Sequence, residues 1–296
     1  MSVAKDTFTA GHGGSHLASY LDIIRYHWRG NERLARETVD RARMVKEYTD
    51  KHASPRVLDL GCGGRAGVVL VLHTLGVPVT GIDYDVVVPR PSFSNWARIA
   101  KQNGIERATK TAGRQLLLDR SYYRRVQQIL GKQLRWDALD VRTMDARRLE
   151  FDDGAFSFVF SAAVFEHISD IHRASAELHR VLRPGGYAYI LTHLFPSLSG
   201  GHALDWADPD EAPRVETSVP PWDHLRKQLH PAHVYLNKLR AEDYVKSFGQ
   251  RFEIVQEEYT TEGLNLLTPE LRAELGDWTE EDLTRRFLIV LLRKPS

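Results

Sequence analysis

Apolar residues recur along the chain in two patterns, as short continuous runs and as stripes at helical spacing. Near residue 60 these patterns form a strand, a glycine turn, a helix and a second strand, at residues 56–60, 61–64, 66–75 and 79–82. Gly76 and Pro78 follow the helix, as expected where the chain leaves helical geometry. This order predicts two parallel strands joined by a helix.

The same alternation returns in the second half of the chain. Apolar runs that end at turn residues predict five more strands, at residues 138–144, 156–161, 187–194, 252–259 and 287–292. Helical patterns lie at residues 170–182 and 241–248. Strands that alternate with helices pack as a mostly parallel sheet with helices on both faces. The pattern therefore predicts an α/β fold with a doubly wound sheet.

Three segments depart from this alternation. Helical stripes over residues 15–47 indicate two helices, which we interpret as a lid over residues 1–54 ahead of a main domain at 55–296. Residues 86–137 are rich in Arg, Gln and Tyr and longer than a strand-to-strand crossover requires, which predicts a helical insertion. Residues 196–240 are rich in Pro, His and Trp without a clear period, and we interpret them as a substrate cap.

Composition excludes several classes of protein. The net charge is +1, so the chain has no overall field that would attract nucleic acid or a membrane surface. No apolar run reaches the ~20 residues of a membrane span, and the N-terminal residues lack the apolar stretch of a secretion signal. The single cysteine, Cys62, excludes a disulfide framework and fits a reducing compartment. We expect a cytoplasmic protein without a nucleic-acid or membrane partner.

The glycine turn indicates a ligand with an adenosine group. Backbone N–H groups in such a turn can approach a ligand closely, and Asp83, at the end of the second strand, can accept hydrogen bonds from ribose hydroxyls. These features fit NAD, FAD or S-adenosylmethionine. Asp59, just before the turn, would repel a pyrophosphate but attract the cationic amino group of S-adenosylmethionine. Asp145, after the third strand, could accept a hydrogen bond from an adenine amino group.

Four segments stand out in the order VLDLGCGG, VTGIDYD, DARRLEFDDGAFSFVFSAAVFEHISD and HRVLRPGGYAYI. They are similar to the successive motifs of class I S-adenosylmethionine-dependent methyltransferases, over roughly residues 55–195 apart from the insertion. The resemblance implies a Rossmann-like sheet of seven strands with the last strand antiparallel. It also implies S-adenosylmethionine as the cofactor and S-adenosylhomocysteine as the product. The cap resembles that of bacterial methyltransferases that act on small molecules, including sugars.

The resemblance also implies which residues bind the cofactor. They are Asp59, Gly61, Cys62 and Gly63 at the methionine end, Asp83 at the ribose, Tyr84, Asp145 and Ala146 at the adenine, and Ser161 and Ala162 facing the methionine moiety. One position departs from the family pattern. Where glycine is usual, two residues after Gly63, this chain has Arg65, with Gly64 and Gly67 on either side. The turn could be shifted or extended by a residue, which leaves the roles of Gly64 and Arg65 open.

Histidines supply the candidate catalytic groups. Methyl transfer to a hydroxyl needs the acceptor oxygen ~3 Å from the sulfonium methyl and a base that takes its proton. His202, which follows two glycines in the cap, is the first candidate base, and His224 is the second. His167 is a third candidate, although a packing or cofactor-side role fits its FEH sequence better. Trp206 and Trp222 of the cap would offer flat surfaces on which sugar rings or aromatic acceptors can pack. We therefore expect O-methylation of a glycan or natural product.

Several alternatives stay open. The acceptor atom could be nitrogen or carbon of a small metabolite, or the chain could be a non-catalytic cofactor-binding partner or modify RNA; a dehydrogenase has the least support. Residues 120–135 alternate basic and aromatic side chains, as RNA-binding segments do, but a solvated basic helix face fits the net charge better. The pairs His230–His233 and His172–His179 lack further ligands, so no metal is predicted. Besides a small-molecule acceptor, a homodimer is the partner left open.

Overall fold

The structure is a computed structural model of the 296-residue chain. Its described residues, with the backbone alone over 16–29, are 16–51, 55–203, 206, 218–232 and 234–296. Parts of the predicted lid and cap, and His233, lie outside the described residues. The chain forms two compact units. The N-terminal unit extends to Glu150 and includes Ala155–Phe160, and the C-terminal unit comprises Phe151–Gly154 and Ser161–Ser296.

The N-terminal unit combines a set of parallel strands with five helices in its described part. Its elements are α1 (His16–Asp50), β1 (Val57–Leu60), α2 (Gly67–Thr74), β2 (Val79–Asp83), α3 (Phe93–Asn103), α4 (Ile105–Arg114), α5 (Arg120–Leu130), β3 (Asp140–Thr143) and β4 (Phe156–Ala162). A π-helical turn, Gln115–Asp119, joins α4 to α5. The strands lie in the order β3-β2-β1-β4, and neighbours pair in parallel. We call α3–α5 the insert helices, and we call these helices together with the turn that joins α4 to α5 the insert.

Apolar residues place the core of this unit at β1 and α2. All four residues of β1 are buried, and so are Val68–Leu72 of α2. A parallel strand that is covered on both faces needs apolar side chains on both, which is why β1 reads as a continuous apolar run. Asp59 is the exception, because it carries a carboxyl group in this buried strand.

The two helices predicted over residues 15–47 form one helix, α1, of 35 residues. No proline interrupts this stretch, and the single Gly30 costs a helix only about 1 kcal/mol, so the helix continues through it. Hydrogen bonds join α1 to α5. The hydroxyl oxygens of Thr38 and Tyr122 are 2.8 Å apart, and Nδ2 of Asn31 donates to Oγ of Ser121 at 2.8 Å.

The C-terminal unit contains the antiparallel strands. Its elements are α6 (Ile171–Val181), β5 (Leu182–His193), α7 (Ala241–Gly249), β6 (Glu253–Thr261), α8 (Pro269–Glu274), α9 (Glu280–Thr284) and β7 (Arg285–Arg293). Strand β7 lies between β5 and β6 and is antiparallel to both. The strand order of the seven-stranded sheet is β3-β2-β1-β4-β5-β7-β6. The predicted doubly wound, Rossmann-like sheet with an antiparallel last strand is confirmed.

A helix that spans a membrane needs about 20 predominantly apolar residues. In the described part of the chain, no helix combines that length with that apolarity.

Candidate active site

The turn after β1 is held by backbone hydrogen bonds and leaves one open side. The N–H groups of Gly61 and Cys62 both donate to the carbonyl oxygen of Ile82, at 2.8 and 2.9 Å. Gly63 has a φ of +67°, which residues with a side chain rarely adopt, and no heavy atom lies within 4 Å of the place its Cβ would take. The turn therefore allows a ligand to approach the backbone closely at Gly63.

Asp59 carries a buried carboxyl group beside the turn. It is 3% exposed, and burial together with the nearby carboxyl group of Asp83 raises its pKa to about 7. Burial and the Asp59 carboxyl group also raise the pKa of the Cys62 thiol well above its usual value, so the thiol stays protonated. A cationic group beside Asp59 would favour its ionised form, because opposite charges attract more strongly where water is excluded.

Asp83 ends β2 with both carboxylate oxygens hydrogen bonded. Its Oδ2 accepts from the N–H of Gly63 at 2.9 Å, and its Oδ1 accepts from the N–H of Asp85 at 3.0 Å. Burial raises the pKa of Asp83, although these two hydrogen bonds act in the opposite direction. Each oxygen has a second lone pair, so each can accept one more hydrogen bond. The carboxylate is thus oriented by the protein and still able to bind hydroxyl groups.

Three of the predicted cofactor acids lie at the same edge of the parallel strands. Asp59 is in β1, Asp83 ends β2, and Asp145 follows β3, and these strands are neighbours in the sheet. The N–H of Met144 donates to the carbonyl oxygen of Asp83 at 2.8 Å, which joins the ends of β2 and β3. The structure therefore brings together the strand ends that carry the three acids.

The three residues predicted to contact the adenine differ in how freely their side chains can contact a ligand. Nη2 of Arg147 donates to Oδ2 of Asp145 at 2.6 Å, so this carboxylate is already paired within its own turn. The Tyr84 side chain is an accessible ring, since the residue is 66% exposed. Ala146 is half-buried. Tyr84 is therefore free to pack against a flat ligand, whereas Asp145 would share its oxygens with Arg147.

A cavity of about 220 Å³ adjoins the turn, and Gly63 and Asp83 line it. Three basic residues of α4 line the same cavity and were not predicted from the sequence; they are Arg107, Lys110 and Arg114. Arg107 also forms an ion pair with Asp85. The positions of the three basic residues, at i, i+3 and i+7 on one helix, were the signal that could have found them.

Arg65, which stands where the family pattern has glycine, binds the insert. Its Nε donates to Oδ1 of Asp119 at 2.7 Å, and its guanidinium carbon lies 4.5 Å from the centroid of the Tyr122 ring. The hydroxyl of Tyr123 donates to the carbonyl oxygen of Arg65 at 2.9 Å. Asp119 is 3% exposed and also forms an ion pair with Arg114 at 3.3 Å. Arg65 thus attaches the turn to the insert through a buried ion pair.

Gly64 and Gly67, on either side of Arg65, also allow the turn to pack closely against the insert. A Cβ on Gly64 would lie 2.6 Å from Nη1 of Arg114, and a Cβ on Gly67 would lie 2.3 Å from the hydroxyl oxygen of Tyr122. Both distances are shorter than contacts that Cβ atoms make in proteins, so a larger residue would displace the Arg114 guanidinium at position 64 or the Tyr122 ring at position 67. The departure from the family pattern is therefore explained by contact of Gly64, Arg65 and Gly67 with the insert.

Ser161 and Ala162 end β4 and belong to the C-terminal unit. Ser161 is fully buried, and Ala162 is half-buried. The next residue, Ala163, has a φ of 56°, and its N–H donates to the carbonyl oxygen of Leu191 at 2.8 Å. The strand thus ends in a tight turn bonded to β5. A contact of Ser161 and Ala162 with the methionine moiety stays a prediction.

The C-terminal unit brings the three predicted catalytic histidines together with a fourth. The centroid of the His202 ring lies 5.1 Å from that of His167 and 5.0 Å from that of His193. His224 packs on the glycine before His202, since a Cβ on Gly201 would lie 2.5 Å from Cγ of His224. We call His167, His193, His202 and His224 the histidine cluster. His193 ends β5 and was not among the predicted catalytic bases.

Hydrogen bonds to backbone carbonyl oxygens fix which ring nitrogen of His167 and which of His224 carries a hydrogen. Nδ1 of His167 donates to the carbonyl oxygen of Tyr235 at 2.8 Å, and Nε2 of His224 donates to that of Phe195 at 2.8 Å. A neutral His167 ring therefore has its free lone pair on Nε2. His202 differs, because its Nε2 is buried and has no hydrogen-bond partner among the described residues.

Burial keeps two rings of the histidine cluster neutral. It lowers the pKa of His202 to about 4, and the neighbouring His167 and His224 lower it further. Burial also lowers the pKa of His224 to about 4, although the hydrogen bond to Phe195 acts in the opposite direction. Near pH 7 both imidazoles are uncharged. A neutral ring with an unpaired nitrogen can accept a proton or bind a cation.

Glu166 adds a buried carboxyl group to the cluster. The Thr192 hydroxyl donates to its Oε2 at 3.0 Å, whereas its Oε1 is buried without a hydrogen-bond partner in the described residues. Burial raises the pKa of Glu166. One ligand atom from each of Glu166, His167 and His202 lies within 4.8 Å of the other two, and two imidazoles with one carboxylate can also hold a divalent metal. The expectation that no metal binds stays a prediction.

The cap tryptophans do not provide the flat, open surfaces expected for ring-shaped acceptors. Trp206 is 5% exposed and Trp222 is fully buried, and their indole N–H groups donate to the carbonyl oxygens of Val219 and Leu283. That expectation is wrong because both rings belong to an apolar cluster of the C-terminal unit, where a large ring buries more area than at a surface. Tyr235, 53% exposed, is an accessible aromatic residue of this segment.

Comparisons with known proteins bear on the family of the chain. A family model described as a methyltransferase domain matches residues 27–237. The chain is 29% identical to the uncharacterised methyltransferase Rv0089 of Mycobacterium tuberculosis over 188 residues, which is 62% of this chain and 74% of the relative.

Two solved structures are also similar to the chain. The [4+2]-cyclase SpnF has a TM-score of 0.43 at 19% identity, with 89% of this chain and 80% of that chain covered. The geranyl diphosphate C-methyltransferase of Streptomyces coelicolor A3(2), crystallised with Mg²⁺, geranyl diphosphate and S-adenosyl-L-homocysteine, has a TM-score of 0.42 at 15% identity, with 84% and 77% covered.

The match over residues 27–237 spans most of the chain and decides the family. It agrees with the sheet order and with the acids that follow successive parallel strands. The prediction of S-adenosylmethionine as the cofactor is confirmed with it. The chain therefore belongs to the methyltransferase domain family, as an S-adenosylmethionine-dependent methyltransferase of class I.

Proposed function

We propose that the enzyme methylates a hydroxyl oxygen of a small molecule, either a glycan or another natural product. The observation that carries this proposal is the buried Nε2 of His202, which has no hydrogen-bond partner among the described residues. A hydroxyl must lose its proton as it is methylated, whereas a neutral amine already has a reactive lone pair. A buried, neutral imidazole therefore favours an oxygen acceptor over a nitrogen acceptor.

The residues of the cluster have separate proposed roles. The cofactor supplies an electrophilic methyl group on a sulfonium. Nε2 of His202 accepts the hydroxyl proton, and the Glu166 carboxyl group, a close neighbour, stabilises the imidazolium that forms. His167 and His224 each use one nitrogen to bind a carbonyl oxygen. They therefore position the segment around His202, and each is a secondary candidate for the base.

For the cofactor, we propose the ten residues named by the resemblance. Three observations support the N-terminal part of this set. Gly63 has open space beside its backbone, Asp83 retains two unused lone pairs, and Asp59 is a buried carboxyl group whose pKa is raised in spite of the attraction of Arg41. The lid at 1–54 and the cap at 196–240 remain proposals, with Tyr235 as an accessible aromatic contact for the acceptor.

The proposal is tested by product analysis. The enzyme is incubated with methyl-labelled S-adenosylmethionine and a panel of hydroxyl, amine and activated-carbon acceptors, including sugars and phenols. We expect label in an ether linkage, identified by mass spectrometry and by the NMR shift of the methyl group. Label found only on nitrogen or carbon would overturn the proposal, although the enzyme would still be a methyltransferase.

Substitution of His202 tests the assigned base. His202→Asn should lower turnover about 10²- to 10⁴-fold, which is the usual contribution of a general base, with the affinity for S-adenosylhomocysteine unchanged. His179→Gln, on α6 and outside the cluster, is the matched control and should keep wild-type turnover. Wild-type turnover in His202→Asn would transfer the role to His224 or His167.

A further inference from the structure

The insert helices border a second cavity, of about 590 Å³, that the proposed reaction does not use. Arg120, Tyr123 and Arg124 of α5 line it, together with Arg90 and Trp136 from the flanking segments. Its volume lies in the range of small-molecule sites, about 300–1,000 Å³. It shares no lining residue with the cavity beside Gly63, so the two cavities are distinct.

Three arginines line this cavity, and they are Arg90, Arg120 and Arg124. Among the described residues, no carboxylate forms an ion pair with Arg90, Arg120 or Arg124. Asp119 also lines the cavity, but it is buried and already paired with Arg65 at 2.7 Å. Arg120 and Arg124 lie four residues apart on α5, where like charges repel. A cavity that is lined by positive charges attracts and retains an anion.

An aromatic wall accompanies these charges. The rings of Tyr123 and Trp136 are 4.8 Å apart at 83°, edge to face, and the guanidinium carbon of Arg90 lies 4.8 Å from the Trp136 centroid. The Tyr123 hydroxyl is engaged by the backbone, whereas the Trp136 indole N–H has no hydrogen-bond partner in the part of the chain that is described. A flat ring next to arginines suits a planar ligand that carries an acidic group.

We propose that this cavity binds a small aromatic anion whose ring packs on Trp136 and whose carboxylate or phosphate group is bound by Arg120 and Arg124. The fork of an arginine side chain matches both kinds of acidic group. Three of the basic and aromatic residues at 120–135, a segment that first suggested contact with RNA, thus line a cavity of small-molecule size; they are Arg120, Tyr123 and Arg124. Tyr123 connects this site to the glycine turn, because its hydroxyl donates to the carbonyl oxygen of Arg65.

Isothermal titration calorimetry of the whole enzyme tests the proposal with phenyl phosphate, benzoate, inorganic phosphate and neutral benzyl alcohol. We expect phenyl phosphate or benzoate to bind more tightly than inorganic phosphate and benzyl alcohol. Tighter binding of phenyl phosphate identifies a phosphate ester as the ligand class, and tighter binding of benzoate identifies a carboxylate. Binding should persist with saturating S-adenosylhomocysteine.

The double variant Arg120→Ala/Arg124→Ala should weaken binding of the aromatic anion about 10- to 100-fold, because it removes two charge-assisted contacts. Both side chains are exposed, so the variant should fold, which circular dichroism verifies. Arg98→Ala is the matched control, since Arg98 is an exposed arginine of α3 that does not line the cavity, and it should change affinity less than about twofold.

Five results would overturn the proposal. The first two are that none of the probes binds and that benzyl alcohol binds as well as the anions. The third is an unchanged affinity in the double variant. The fourth is displacement of the probe by S-adenosylhomocysteine, which would place the probe in the cofactor cavity. The fifth is displacement by a short RNA oligonucleotide whose binding depends on the same two arginines, which would assign this surface to nucleic acid.

Discussion

The glycine turn of the N-terminal unit and the histidine cluster of the C-terminal unit satisfy their polar atoms in opposite ways. At the turn, Asp83 accepts two backbone hydrogen bonds, and Arg65 forms a buried ion pair with Asp119. In the cluster, Nε2 of His202 and Oε1 of Glu166 are buried without hydrogen-bond partners among the described residues. The carboxylates of Asp83 and Asp119 thus have partners of opposite charge or backbone N–H groups before a ligand arrives, whereas Nε2 of His202 lacks a bond that a substrate could supply.

This difference predicts which substitutions change the stability of the fold and which change catalysis. A buried polar atom without a partner costs about 1–3 kcal/mol, so a fold retains it where a ligand or a proton supplies the bond. Substitutions at the turn should therefore change the free energy of unfolding together with cofactor affinity. Substitutions at His202 should change turnover with little effect on unfolding. The following experiments test this contrast.

Arg65→Gly should produce the largest loss of stability. It restores the residue usual in the family but removes one of the two cations paired with the buried Asp119. Breaking a buried ion pair on one side costs about 3–5 kcal/mol, measured by urea denaturation. Adding Asp119→Asn should recover part of the loss, because no buried carboxylate is then left with Arg114 as its single cationic partner. An unchanged urea midpoint in Arg65→Gly would show that the insert does not depend on this pair.

Asp59→Asn should increase stability at high pH. The Asp59 carboxyl group ionises near pH 4 in the unfolded chain and at about 7 in the folded protein. Between these values only the unfolded state releases the proton, so the free energy of unfolding falls as pH rises. Above pH 7 the variant should therefore be more stable than wild type by about 2–4 kcal/mol, with the difference lost near pH 4.

The control for this experiment is Asp152→Asn, which changes an acid outside the buried strand. A pH-independent difference between Asp59→Asn and wild type would contradict the raised pKa of Asp59. The same variant should bind S-adenosylmethionine more weakly, because it lacks the charge that would attract the cationic amino group.

Asp83→Ala should weaken cofactor binding about 10- to 100-fold, because hydrogen bonds to a charged group contribute about 1.5–3 kcal/mol. Titration calorimetry with S-adenosylhomocysteine measures the loss, and circular dichroism verifies the fold. Unchanged affinity would remove Asp83 from the ribose site.

Removal of metal should have the smallest effect. Since His202 is proposed to act as a free base, treatment with EDTA should leave turnover unchanged. Added Zn²⁺ should inhibit, because it would bind Nε2 of His202 in place of the proton. Loss of turnover in EDTA that a divalent metal restores would instead make Glu166, His167 and His202 a metal site.

The accuracy of the sequence predictions depends on how local each signal is. The motif around Asp59 and Gly63 lies within a few residues, and its order with later motifs predicted the sheet. The α4 residues that line the 220 Å³ cavity follow only a general helical pattern, so they were missed. Trp206 and Trp222 were assigned to the surface because their segment lacks a period, and packing within the C-terminal unit buried them instead.

By itself, the sequence determined the α/β class, because periodic burial is a property of neighbouring residues. Its short motifs determined the family and the cofactor through a resemblance, and the antiparallel last strand was implied by that resemblance. Only the tertiary structure decided why Arg65 replaces a glycine, since Asp119 is 54 residues away along the chain. It also decided that His167, His202 and His224 share one cluster with Glu166. Such groupings depend on long-range packing, which brings together residues whose local sequences carry no sign of one another.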